Sequence, residues 1–301
     1  MTMQTDPYYS RAERKPRIID RQDPVIYSEL GHRGYGPLSV AQLASYETQG
    51  FLFCEQVFAQ EEVHYFREEL TRLRTAATVQ RCPEVVLEPA GNEIRSVFAV
   101  HQTNPVFRRL SRDKRLVTIA SQLLGSPVYI HQSRINYKPG FSGKEFYWHS
   151  DFETWHMEDG MPRMRAVSCS IALSENNEFN GPLLLIPGSH KSYVLCVGKT
   201  PDNHYLSSLR KQEYGVPDSQ SLTYLVERGG IAAPKGAAGS VVFFECNMMH
   251  GSNSNITPWP RHNVFIVYNS VANALVEPFC GLTPRPEFIA GRNFTPIEPE
   301  S

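Results

Sequence analysis

The spacing of apolar positions changes character between Gly125 and Val128. Before it, apolar residues recur at intervals of three and four; after it, they alternate. Following a polar N-terminal arm (residues 1–37), SVAQLASYETQ from Ser39 to Gln49 predicts a short helix closed by Gly50, and FLFCEQVF predicts a strand. From Ala59 to Thr75, Val63, Phe66, Leu70 and Leu73 carry the spacing of a helix with one buried face. Two further helical patterns run from Asn104 to Arg112 and from Arg115 to Leu124, the second stopped by Gly125 and Pro127. Residues 38–125 therefore read as the largely helical part of a single domain spanning 38–301.

From residue 126 onward, short β-rich runs separated by Gly, Pro and Asn predict strands: VYIHQSRINY, RAVSCSIALS, PLLLIP, GSVVFFEC and NVFIVYNSV. Many short alternating strands without helices between them predict a mainly β core with a helical surround, a barrel or jelly roll and not a doubly wound sheet. The segment 198–220 is polar and turn-rich, which suits either a lid or a surface excursion.

Composition narrows the function classes. A chain of 301 residues with 41% hydrophobic residues can bury a sizeable core. Thirty basic against thirty-one acidic residues, without a basic run, argue against nucleic-acid or membrane partners. The charged, Pro-broken start lacks the apolar core of a signal peptide and no apolar run is long enough to cross a bilayer, so the expected location is the cytoplasm. Six cysteines without a CxxC pair are expected to be buried free thiols.

The candidate chemistry sits in FYWHSDFETWHMEDGMP, residues 146–162. On an extended strand His149 and Asp151 face the same way, a spacing that suits one metal ion. A lone His-x-Asp is common and by itself reads as a surface histidine beside an acid. His250, expected at the end of another strand, adds the second imidazole of the two-His, one-carboxylate facial triad of non-haem Fe(II) oxygenases, which leaves three positions open. The same ligands suit a zinc hydrolase. Arg261, eleven residues further on, favours the oxygenase, because a fixed guanidinium can grip the far carboxylate of 2-oxoglutarate. Alternation is expected to turn His131 away from the site, and His190, His204 and His262 read as turn, loop and outward-facing positions. Glu153, His156, Glu158 and Asp159 rival Asp151 on composition; Asp151, two residues from His149 and on its face of the strand, is the expected ligand, and the others are left to shape the turn.

The same parity groups Gln132, Arg134 and Asn136 on one face of their strand and Tyr129, His131, Ser133, Ile135 and Tyr137 on the other. It also groups Ser168 with Ser170, and Arg261 with Asn263, Phe265 and Val267. With Phe244 and Trp155, these residues describe a cavity with aromatic walls and a few polar groups, suited to a small zwitterion whose carboxylate meets Arg134.

HSD at 149–151, HGSNSN at 250–255 with Arg261 downstream, and NGPLLLIPGSHK at 180–191 resemble the phytanoyl-CoA dioxygenase-like branch of the Fe(II)/2-oxoglutarate oxygenases. The fuller FYWHSDFETWHMEDGMP, with QSRINYKPG before it, is similar to the ectoine-hydroxylating members of that branch, and the likeness runs from Leu38 to the C-terminus. The resemblance implies a double-stranded β-helix of the cupin-like jelly-roll type, and conversion of ectoine to 5-hydroxyectoine, a compatible solute of the stress response. It implies Fe(II) at His149, Asp151 and His250, with 2-oxoglutarate and O2 as co-substrates. It assigns 2-oxoglutarate to Arg261, Ser252 and Asn136, and ectoine to Gln132, Arg134, Trp155, Ser168, Phe244 and Phe265. Asp151 stands where related halogenases have a small residue. The rival readings are a same-family oxygenase acting on another small polar metabolite, such as a free amino acid, and a non-catalytic cupin-like binding protein. The expected partner is the small-molecule substrate, and a homodimer is left open.

Overall fold

A computed structural model describes residues 6–12, 15–28, 36–79, 82–89 and 91–300. Local signals set the helices of the first half. In α1 (Val40–Gln49), Ser39 and Gln42 form a capping box, and Gly50, at φ 82°, ends the helix in the left-handed region. The helix α2 runs Gln60–Val79, α3 Val100–Thr103, α4 Pro105–Leu110 behind an Asn104 cap, and α5 Lys114–Leu124 between Asp113 and Gly125.

The chain before residue 126 also supplies strands, and β1 (Arg17–Asp20), β3 (Val85–Leu87) and β4 (Ile94–Phe98) are additions to the sequence reading. In FLFCEQVF only β2 (Phe51–Cys54) is extended, because the chain turns at Glu55. The second half contributes β5 (Val128–Asn136), β6 (Phe146–His149), β7 (Ala166–Ala172), β8 (Leu183–Leu185), β9 (Ser192–Leu195), β10 (Val241–Glu245), β11 (His250–Ser252) and β12 (Asn263–Ser270). Helices interrupt them, contrary to the expectation of an uninterrupted strand series. A short α6 (Asp151–Thr154) follows β6, and α7 (Tyr205–Ser208) and α8 (Ser219–Gly229) lie between β9 and β10. The Asp218 side chain caps α8 by accepting from Gln220 and Ser221, a signal that the polar segment around it masked.

All strand pairs are antiparallel. A seven-stranded sheet in the order β2-β10-β7-β12-β5-β4-β3 faces a three-stranded sheet, β6-β11-β8, and β1 pairs with β9. The fold is a double-stranded β-helix, the cupin-like jelly roll. Alternation sorts the large sheet into two faces. Ile135, Val167, Cys169, Ile171, Phe243, Val264 and Ile266 pack outward against Phe66, Leu70, Leu116, Val117 and Leu123 of α2 and α5. Each fully buried aliphatic or Phe side chain there contributes about 1.5–3 kcal/mol relative to exposure. On the opposite face, Val242, Phe244 and Phe265 meet Leu183, Leu185 and Met248 between the sheets.

A bulge corrects one parity count. Val267 pairs with Gln132 and Tyr268 with Ile130, so His131 is an extra residue in β5. Downstream, Gln132, Arg134 and Asn136 keep their common face, whereas Tyr129 and His131 change sides and point inward with them. Tyr129 Oη accepts from Asn269 at 2.8 Å, and the His131 ring lies 5.0 Å from that of Trp155. His131 therefore faces the site's surroundings instead of pointing away.

All six cysteines are free, but only Cys169, Cys196 and Cys246 are buried; Cys82 is exposed. No helix among the described residues is long and apolar enough to cross a membrane.

Buried titratable groups give the fold a directional pH response. Burial pushes His101 and His262 down to about 4 and His190 to about 3. Unfolded histidine binds its proton near pH 6.5, so between about pH 4 and 6.5 the unfolded chain holds more protons than the native one. Stability therefore rises with pH through that window. Thermal midpoints measured from pH 7 down to 4 are expected to fall continuously; a flat profile would contradict the burial of these imidazoles.

Candidate metal centre and cavity

β6 ends at His149. Ser150 is still extended (φ −103°, ψ 128°), and Asp151 opens α6 instead of continuing the strand. The extended backbone of Ser150 keeps the Asp151 side chain on the face of His149, although the strand parity used to select it stops one residue short. His250 likewise does not prolong β10: the chain turns after Glu245 and returns as β11, with His250 directly opposite His149 in the smaller sheet. The two rings lie 4.3 Å apart.

Asp151 lies between them, Oδ1 at 3.7 Å from His149 Nε2 and Oδ2 at 3.8 Å from His250 Nε2. The ligand atoms of the three side chains all fall within 4.8 Å of one another. Each histidine turns Nδ1 to a backbone carbonyl, Tyr147 O at 2.6 Å and Met248 O at 2.9 Å. A carbonyl only accepts, so Nδ1 carries the proton and the Nε2 lone pair points to the shared centre. Burial, reinforced by repulsion from His250, pushes His149 down to about 4 and keeps it neutral. Burial opposes ionisation of Asp151, but His250 and His149 hold its carboxyl below the usual value. Two imidazoles that present Nε2 and one carboxylate fit a divalent transition metal such as Fe(II).

Two buried cations, Arg261 and Lys138, lie where the ends of β5 and β12 meet the strand that carries His250. Arg261 donates from Nη1 to Asn263 Oδ1 at 3.0 Å, while its buried Nε has no hydrogen-bond partner. Burial alone pushes its guanidinium down to about 10. Lys138 is fully buried and lies one residue beyond the predicted strand, which ends at Tyr137; one further step of alternation puts it with Gln132, Arg134 and Asn136. Its Nζ donates to Ser252 Oγ at 2.8 Å and to the Asn253 carbonyl. Burial, then repulsion from Arg261 and Arg95, holds it well below its usual value. Gly181, in the NGP motif, has φ 68°, and a Cβ there would stand 2.4 Å from Asn253 O and 3.3 Å from Lys138 Cδ. Asn136 Oδ1 accepts from Ser96 Oγ at 2.7 Å. Desolvated, mutually repelling cations of this kind need an anion.

A cavity of about 440 Å³ opens onto His149 and Asp151 and is lined by Gln132, Arg134, Thr154 and Trp155. Gln132 donates to Ile289 O at 2.7 Å, and its Oε1 accepts from Arg134 Nη1 at 2.8 Å. The Arg134 guanidinium sits 5.1 Å over the Phe265 ring, with its Nε unpaired. Phe244 and Ser168 lie deeper: the Phe244 ring is 5.0 Å from that of His250, and Ser168 Oγ is 3.5 Å from Asp151 Oδ2. Residues 208–213 and Val216, from the segment read as lid or excursion, form another wall.

The rival acids point away from the centre. Glu153 and Glu158 pair with Arg11, Asp159 with Arg285, and His156 with Asp6. They tie remote segments to the turn and do more than shape it. His204 is buried against Glu158, and His190 is buried with Nε2 3.2 Å from Glu47 O, so neither is an exposed loop residue. His262 packs on Tyr137 at the helix-covered face.

The profile of the phytanoyl-CoA dioxygenase (PhyH) family matches residues 46–263. The ectoine dioxygenase of Bordetella bronchiseptica is 57% identical over 295 residues, covering 98% of this chain and 95% of that protein. That of Stutzerimonas stutzeri is 54% identical over 298 residues, covering 98% of each. Among solved structures, EctD from S. alaskensis with 2-oxoglutarate and 5-hydroxyectoine matches with a TM-score of 0.88 at 47% identity over 98% of both chains. The same protein with bound Fe matches at 0.87 and 46%.

Proposed function

The chain belongs to the phytanoyl-CoA dioxygenase family, and on that premise we propose that it is an Fe(II)- and 2-oxoglutarate-dependent dioxygenase that hydroxylates ectoine to 5-hydroxyectoine. The observation that carries the reading is the conjunction of a His-Asp-His centre with two buried cations, Arg261 and Lys138, that form no direct ion pair among the described residues. The grip that two such cations offer a dicarboxylate favours the oxygenase over a zinc hydrolase or a non-catalytic binding protein.

His149 Nε2, Asp151 and His250 Nε2 would hold the iron. When bound, Fe(II) supplies the dioxygen chemistry that couples oxidative decarboxylation of 2-oxoglutarate to hydroxylation of a C–H bond. Arg261 and Lys138 neutralise the far carboxylate of 2-oxoglutarate, with Ser252 and Asn136 on its flanks. Arg134 turns its unpaired donors toward the carboxylate of ectoine, and Gln132 fixes the guanidinium in that attitude. Trp155 walls the substrate, and its ring face favours the cationic amidine. Ser168, Phe244 and Phe265 back the ligands and keep water from the centre. Selectivity follows from orientation, because the C–H bond held nearest the iron reacts.

Anaerobic loading with Fe(II), then incubation with 2-oxoglutarate, ectoine and air, is expected to give 5-hydroxyectoine by mass and NMR, with one succinate per product. Iron-loaded protein that releases succinate only with another metabolite, such as a free amino acid, would replace the substrate and keep the reaction class. Arg134→Ala is expected to raise the apparent KM for ectoine by 10-fold or more, from loss of a charge-assisted contact worth about 1.5–3 kcal/mol, while iron binding is retained. Unaltered ectoine kinetics would remove Arg134 from the substrate site. A cytoplasmic location agrees with a role in compatible-solute synthesis. A homodimer is part of the same reading, and light scattering of the purified chain tests it.

A further inference from the structure

The stretch that carries Asp151 and Trp155 is α6 followed by one π-helical turn, Trp155–Asp159, closed by Gly160 at φ 79°. Such turns are weak in isolation and are held by their surroundings. The surroundings here come from residues far away in sequence, and one guanidinium is central to them. Arg11 has φ 60°, a backbone conformation that non-glycine residues rarely adopt. Its N–H donates to Cys196 O at 2.8 Å, which fixes the arm against the strand region.

From that point the side chain reaches both halves of the turn. Nε donates to Glu153 Oε1 at 2.9 Å and Nη2 to Glu153 Oε2 at 2.7 Å, a bidentate fork. Nη1 donates to Glu158 Oε1 at 2.6 Å and to Thr200 Oγ1 at 2.9 Å. Ser10 Oγ adds a bond to Glu153 Oε1 at 2.7 Å, and His204 Nδ1 lies 2.8 Å from Glu158 Oε1. The Arg11 and Glu153 side chains are each 1% exposed. Glu153 stands two residues after Asp151 and Glu158 three after Trp155, so a single planar group spans the turn and fixes its rotation.

The cavity wall is seated on the same pair. A Cβ at Gly215 would stand 2.2 Å from Glu153 Oε2 and 2.4 Å from Arg11 Nη2, so the backbone of this segment lies directly on the fork. Gln212 Nε2 donates to Thr154 Oγ1 at 3.1 Å. Metal ligand, aromatic wall and covering segment thus share one support.

We propose that Arg11 is a positioning residue for the dioxygenase reaction, setting the placement of Asp151 and Trp155 through Glu153 and Glu158 and seating residues 208–216 over the cavity. The inference rests on the function proposed above. It deepens that reading by bringing the N-terminal arm into the specificity of the reaction.

The test uses the full chain and two readouts, Fe(II) affinity by anaerobic equilibrium dialysis and the ratio of succinate released to ectoine hydroxylated. Arg11→Ala removes the support, and Arg11→Lys keeps the charge without the fork. Both are expected to weaken Fe(II) binding about 10-fold and to raise the succinate-to-product ratio above unity. If Arg11→Ala does not fold, Arg11→Lys and Glu153→Gln carry the test. Arg163→Ala, which loosens the arm at Asp23 without touching residues 151–159, is expected to keep wild-type values. The proposal is overturned if folded Arg11→Lys and Glu153→Gln bind Fe(II) and couple turnover like the wild type, or if Arg163→Ala reproduces the defects. A wild-type chain that does not hydroxylate ectoine would overturn the functional reading instead, and Fe(II) affinity alone would then decide the role of Arg11.

Discussion

Replacement of His149 or Asp151 by alanine is expected to abolish both iron retention and ectoine hydroxylation. Each belongs to a group of three side chains whose potential donor atoms converge within 4.8 Å and could hold one metal ion. Their geometry is prepared in advance: the Nδ1 of each histidine is committed to a carbonyl, and the carboxyl of Asp151 lies below its usual range despite its burial. Altering an outer partner of a ligand typically costs 10–100-fold in metal affinity, so loss of the ligand itself is expected to cost more than about 100-fold. The fold should survive, because neither side chain belongs to the apolar clusters that hold the sheets together. Iron content after gel filtration, read beside the thermal midpoint, separates the two effects. A variant that retains stoichiometric iron and turns over normally would refute the assignment.

The second large effect is expected at the buried cations. Truncating one partner of a buried, hydrogen-bonded charge pair costs about 2–5 kcal/mol, so Arg261→Ala should raise the 2-oxoglutarate requirement by at least about 30-fold. Lys138→Met should act in the same direction. In the ligand-free protein the balance reverses, because both cations are desolvated and Lys138 is in addition repelled by Arg261. Both variants are therefore expected to be at least as stable as the wild type without co-substrate, and to lose the thermal shift that 2-oxoglutarate confers. An unchanged 2-oxoglutarate requirement in both would show that the carboxylate is gripped elsewhere.

Much of the architecture is legible because it is locally encoded. Ser39, Asn104, Asp113, Gly50 and Gly125 bound helices through their own backbone and side-chain hydrogen bonds. The alternation in β5, β7, β10 and β12 reports two faces of one sheet, each with its own apolar partner. Alternation also reaches Lys138, and counting one residue further along QSRINYKPG would have found it. It fails at His131, because a bulge adds a residue to one strand only, where the partner strand determines the register.

The pairing of Arg11 with Glu153 joins residues 142 apart in the chain. Glu153 shares the residue parity of Asp151 two positions earlier, so parity alone does not separate the two acids. The sequence by itself determined which segments are helical or extended, and which side chains have the chemistry to bind iron and an oxo acid. The tertiary structure alone decided how His250 comes to stand opposite His149, which cations are buried without a direct ion pair among the described residues, and what supports the turn that bears Asp151. The physical reason is range: caps and alternation act over a few residues, whereas desolvation and ion pairing depend on which distant segments fold against one another.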